Sequence, residues 1–173
     1  MHVVQRQHAE VFDDLYVKHW GLIKAKRIDG CRWLDEHHLS NPDGPDCCWV
    51  FPLKDADKTT YIWPLVTLSD GPGPKQMPAD FRKLAIHVSP SGDGFKVETA
   101  ADGKPVSEDL ERVAAYREAM PGTTNNYHPN ETLASLFADM VVADHFSKPS
   151  SAAKVKTNFT MLRGWCHEHL RMR

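Results

Sequence analysis

Ten histidines and four cysteines are the side chains of this 173-residue chain best suited to chemistry. The best cluster among them is Asp35, Glu36, His37, His38, Cys47 and Cys48, with Cys31 nearby. A structural zinc takes four converging nitrogen or sulfur ligands, usually presented by short ligand-pair knuckles. Adjacent His37 and His38 diverge on a helix, and the chain has no Cys-x-x-Cys. The pattern therefore reads as a surface histidine pair beside partly buried thiols, with no metal and no cofactor expected. Cys166-His167-Glu168-His169 fares no better as a metal site, because helix positions two apart point roughly 200° from one another. A thiol nucleophile needs a base within reach. Cys47 or Cys48 at the mouth of a strand, with His87 on a neighbouring strand, defines one alternative function: a small Cys/His-dependent hydrolase or transferase. Gly71-Pro72-Gly73-Pro74 and Gly92-Asp93-Gly94 lack the context of a phosphate cradle and read as turns.

A second kind of chemistry is recognition by aromatic surface. The chain repeats one phrase, Trp49-Val50-Phe51-Pro52-Leu53 and then Tyr61-Ile62-Trp63-Pro64-Leu65. The polar segment between the copies makes them an antiparallel hairpin turning between Ala56 and Asp57. Leu53 then lies opposite Thr60, Phe51 opposite Ile62, and Trp49 opposite Pro64. Alternation puts Trp49, Phe51, Leu53 and Ile62 on one face and Val50, Pro52, Tyr61, Trp63 and Leu65 on the other. Both faces are apolar. Either helices cover both, or one is an open aromatic face. The leading functional expectation is a non-catalytic binding or regulatory module. Trp49, Phe51, Tyr61, Trp63 and His87 would line a pocket for a small apolar or aromatic ligand, or a surface for a protein partner. A homodimer through the same face is a variant of that reading. The long Asp70 to Pro78 loop is placed to close over it.

The elements needed to hold such a surface follow from periodicity. Val4 to Lys26 reads as one amphipathic helix. Lys83 to Val88 and Phe95 to Thr99 alternate around the Ser91-Gly92-Asp93-Gly94 turn, giving a second hairpin. Three helices close the chain, the first capped by Ser107, the second by Asn130, and the third carrying Val155, Phe159, Leu162, Cys166 and Leu170 as its apolar seam. The expected fold is α+β: an antiparallel sheet of about four strands in two hairpins, with an N-terminal helix and three C-terminal helices. It forms a single domain over 1–173, helical in 1–40, sheet in 47–100 and helical in 107–173.

The charge is uneven. The total is −2, made of +1 in residues 1–30, −8 in 31–146 and +5 in 147–173. The basic C-terminal helix raises nucleic-acid binding as a further alternative, although an apolar seam and an acidic body favour a solvated helix face. No apolar run approaches a membrane span and no secretory leader is evident, so no membrane partner and a cytoplasmic location are expected.

Overall fold

A computed structural model describes residues 1–40, 48–71, 74–76, 78–146 and 153–170. The aromatic hairpin is its centre. Strands β3 (Trp49–Asp55) and β4 (Lys58–Leu68) pair antiparallel with Phe51 opposite Ile62, Leu53 opposite Thr60 and Asp55 opposite Lys58. The two-residue turn therefore falls on Ala56 and Asp57, where the alternation placed it. Ala56 takes a positive φ of 39° there. The β3–β4 pairs run no further than Phe51 and Ile62; on the other edge of β3, Trp49 pairs with Lys24 in β1 (Ile23–Lys24).

The remaining strands overturn the simple two-hairpin sheet. The sheet has seven strands, is mixed rather than antiparallel, and curls into a half-barrel. Its order is β1-β3-β4-β5-β6-β2, with β5 spanning Phe81–Ser91, β6 Gly94–Val97 and β2 Ile28–Asp29; β7 (Ser107–Asp109) pairs with β5 beyond the end of β6. β2 runs parallel to β6. The curl follows from chain length. β1 and β2 occupy opposite ends of the strand order, yet only the four steps from Lys24 to Ile28 separate them. Four steps span at most about 14 Å, so the two edges must bend towards each other. Strands of two and three residues carry no alternation, which is why sequence periodicity passes over β1, β2 and β7.

The helices also divide differently. The expected single N-terminal helix is two, α1 (His2–Gln7) and α2 (Ala9–Trp20), broken at His8. Gly21 ends α2 in the left-handed conformation, φ 68°, and frees Ile23 and Lys24 to pair as β1. A short α3 (Arg32–His37) follows β2. The helix expected from Ser107 is instead β7, a 3-10 turn at Leu110–Arg112 and α4 (Ala114–Ala119). The carboxylate that caps this region belongs to Asp109, which accepts from the Glu111 amide. α5 (Pro129–Phe146) opens on a proline, which suits a first helical position. α6 is Ala153–His169.

Two hydrophobic clusters cover the sheet, one on each face. Trp49, Phe51, Ile62 and Ala85 pack with Phe12, Leu15, Tyr16, Tyr116, Leu133, Leu136, Phe159 and Leu162 from the helices. Val50, Trp63, Leu65, Ile86 and Val88 pack on the other side with Ala25, Leu34 and Val97. The sheet is covered on both faces, one of the two arrangements that an apolar pattern on both faces allows.

Candidate functional site

The residues expected to form an aromatic surface are placed separately. Trp49 and Phe51 are 4% and 6% exposed in the helical cluster, with Phe51 meeting Tyr116 edge-on at 5.1 Å. Trp63 is 8% exposed in the other cluster, its ring 5.9 Å from His38. Tyr61 lies edge-on to Phe95 at 5.1 Å. His87 pairs with Ile62 in the ladder, and its Nε2 lies 3.4 Å from a Glu108 carboxylate oxygen. Cys48 packs against the Trp63 cluster, whereas His87 shares its face with Ile62, so these two groups are not brought together as nucleophile and base. Cys47 lies outside the described residues, as does most of the Ser40 to Asp46 loop, and so do Pro72, Gly73 and Met77 of the later one.

Trp49 borders a cavity. The cavity, about 270 Å³, lies where α1, α2, the β1–β3 edge and the start of α5 meet. The break at His8 sets Gln5 and Arg6 of α1 on one side of it, and Ala9, Phe12 and Asp13 of α2 recur at helical spacing along another. The strand edge contributes the cross-strand pair Lys24 and Trp49. The Lys24 ammonium sits 5.7 Å from the centre of the Trp49 ring and 2.7 Å from Asp13 Oδ2. Cation–π attraction and an ion pair thus hold one side chain across the cavity wall.

Behind this wall runs a buried polar network. Gln5 is 2% exposed. Its Nε2 donates to the Tyr16 hydroxyl at 2.9 Å and to the Asn130 carbonyl at 3.1 Å. The Tyr16 hydroxyl in turn donates to Asn130 Oδ1 at 2.8 Å. Burial drives the Tyr16 phenol far above its ordinary range, so it stays a donor. A carbonyl only accepts, so the Asn130 oxygen fixes the orientation of the Gln5 amide: nitrogen inward to the network. That leaves Gln5 Oε1 as a buried acceptor with no hydrogen-bond partner. Buried polar atoms are ordinarily satisfied, and an unmatched one points to strain or a functional role.

A second polar group lies across the sheet. Trp33 and His37 of α3 stack at 4.1 Å, nearly parallel. Asp70 Oδ1 accepts from Trp33 Nε1 at 3.2 Å and lies 2.9 Å from His37 Nε2; Oδ2 accepts from Lys104 at 2.7 Å. The Lys104 hydrogen bond, with help from Trp33 and His37, holds the Asp70 carboxyl below its usual range. The group fastens α3 and the β6–β7 connection to the end of β4. Among the described residues no three His, Cys, Asp or Glu side chains are grouped to hold a metal ion, and no helix is long and apolar enough to cross a membrane.

The cavity residues Gln5, Arg6, Asp13, Lys24 and Asn130 were not legible as a site. Gln5 and Asn130 are joined across 125 positions of sequence, and no local pattern reports such a meeting. One signal was present. Gln5 falls at helical spacing from Phe12 and Tyr16, a polar residue in line with two that are buried.

Compared with family models, curated proteins and solved structures, the chain has no significant match.

Proposed function

We propose that this protein is a non-catalytic small-molecule binding module, and that its site is the cavity beside Trp49. One observation carries the reading: an aromatic and aliphatic wall, Trp49, Phe12 and Ala9, converges with Gln5, Arg6, Asp13, Lys24 and Asn130 on one space. Ligand sites have this composition, mostly apolar with a few placed polar groups. A volume of about 270 Å³ lies just below the usual range of such sites, about 300–1,000 Å³, so the ligand is small. The covered sheet contributes by rigidity. Strands buried on both faces hold Trp49 edge-on to Tyr16 at 5.3 Å, and Tyr16 holds Gln5. A wall fixed in this way loses little freedom when a ligand arrives.

Ala9→Trp tests the proposal without touching the core. Ala9 is exposed at the start of α2 and borders the cavity, so an indole there fills the space while the fold is kept. The probe is benzamide, planar and neutral. Saturation-transfer NMR is expected to show benzamide bound to the unaltered protein at millimolar concentration. In Ala9→Trp that signal should be lost, with circular dichroism and urea midpoint unchanged. Equal transfer in both proteins places binding elsewhere and defeats the reading, and so does no transfer in either.

A further inference from the structure

We infer that the cavity selects a small neutral aromatic carboxamide, whose N–H donates to Gln5 Oε1; this rests on the cavity being the binding site. Gln5 is part of the cavity wall. Its Nε2 uses both protons, one on the Tyr16 hydroxyl and one on the Asn130 carbonyl. Oε1 diverges from Nε2 at the same carbon, away from that network, and meets no donor. The amide cannot turn over to relieve this, because Oε1 would then face the Asn130 carbonyl, acceptor against acceptor. The side chain is 2% exposed, so bulk water does not relieve it either. A buried acceptor without a donor is costly, and a ligand that supplies the missing proton recovers that cost. A carboxamide N–H supplies it without bringing a charge.

The same wall disfavours charged ligands. The Lys24 ammonium lies 2.7 Å from Asp13 Oδ2 and faces the Trp49 ring, and Arg6 also holds a partner. Neither cation is held open for an anion. A carboxylate brings acceptors only, so it leaves Gln5 Oε1 unmatched and sets a negative charge beside it. An ammonium could donate to Oε1, but it would give up its water beside a carboxylate, Asp13, that Lys24 already takes. Size narrows the class further. At a liquid-water share of about 30 Å³ each, 270 Å³ holds roughly nine heavy atoms, which is one ring and one amide group. Trp49 and Phe12 present rings and Ala9 a methyl group, against which a flat apolar body packs.

Three probes of one shape isolate the donor: benzamide, acetophenone and benzoate. Acetophenone keeps the ring and carbonyl of benzamide and has a methyl group where benzamide has its amino group. Dissociation constants are measured by NMR titration, with the unaltered protein and with Gln5→Met, and the Gln5 side-chain Cδ shift is followed in 13C-labelled protein. Benzamide should bind about tenfold more tightly than acetophenone, the worth of one net hydrogen bond, and benzoate no better than acetophenone. The Gln5 Cδ resonance should move with benzamide and stay in place with acetophenone. In Gln5→Met, which leaves the Tyr16–Asn130 bond in place, the preference for benzamide over acetophenone should vanish. If the variant fails to fold, the Cδ shift decides alone. Equal binding of benzamide and acetophenone, or a Cδ resonance that benzamide leaves unmoved, overturns the donor inference while the cavity stands as a binding site. A preference that survives in folded Gln5→Met overturns it too, and tighter binding of benzoate than of benzamide overturns the neutral class. If none of the three binds, the binding reading itself fails, and this inference with it.

Discussion

Trp63→Ala is expected to cost about 3–5 kcal/mol of stability, the range for removing a large aromatic side chain from a core. Trp63 is 8% exposed and packs with Val50, Leu65, Ile86 and Leu34. It also stands directly opposite Ile86 in the β4–β5 ladder, so its loss opens a hole between two central strands. Natural domains are held by about 5–15 kcal/mol in total, and the variant should therefore be close to unfolding. Urea denaturation followed by tryptophan fluorescence checks this, through a large fall in midpoint. An unchanged midpoint would mean that Trp63 sits on a free surface, restoring an open aromatic face as the site.

Gly94→Ala is expected to cost about 1–3 kcal/mol, the usual range for overpacking. A Cβ at Gly94 would lie 2.5 Å from the Arg27 carbonyl oxygen and 2.7 Å from Arg27 Cγ. The same carbonyl accepts the Phe95 amide at 3.1 Å, at the start of the parallel β2–β6 pair. The backbone cannot yield there without loosening that pair, and the pair closes one edge of the curl. Here the requirement is space rather than a positive φ, which distinguishes Gly94 from Gly92, whose φ is +59°. Amide hydrogen exchange should show faster opening at Phe95 in the variant. Full stability with unchanged exchange would contradict the close approach of β2 to β6.

The sequence was most informative where the chain is regular. The hairpin register from Phe51–Ile62 to the turn at Ala56–Asp57 follows from aromatic alternation and a polar break. Apolar residues at every position of the repeated phrase allowed either a covered sheet or an open aromatic face, and the helices that decide between them come from distant parts of the chain. What was not legible depends on distance. Lys24 joins Trp49 because Gly21 stops α2 in a left-handed turn and the chain doubles back along β3. Two-residue strands have no period to read. The same limit applied to the site. Trp49 was visible as an aromatic, but the partners that give its edge a chemistry, Gln5, Arg6, Asp13 and Lys24, reach it through three turns of chain and a network ending at Asn130. Trp63, Phe51 and Tyr61 looked equivalent to Trp49 in the repeated phrase. They differ in what folds against them, and that is a property of the tertiary structure.

The measurement that tests the binding site most directly is a map of amide and indole shifts in the 15N-labelled protein as benzamide is titrated. The account predicts saturable shifts at Gln5, Arg6, Ala9, Lys24 and the Trp49 indole, the residues around one cavity. Shifts confined to Tyr61, Trp63 and His87 would return the site to the middle of the sheet and contradict it.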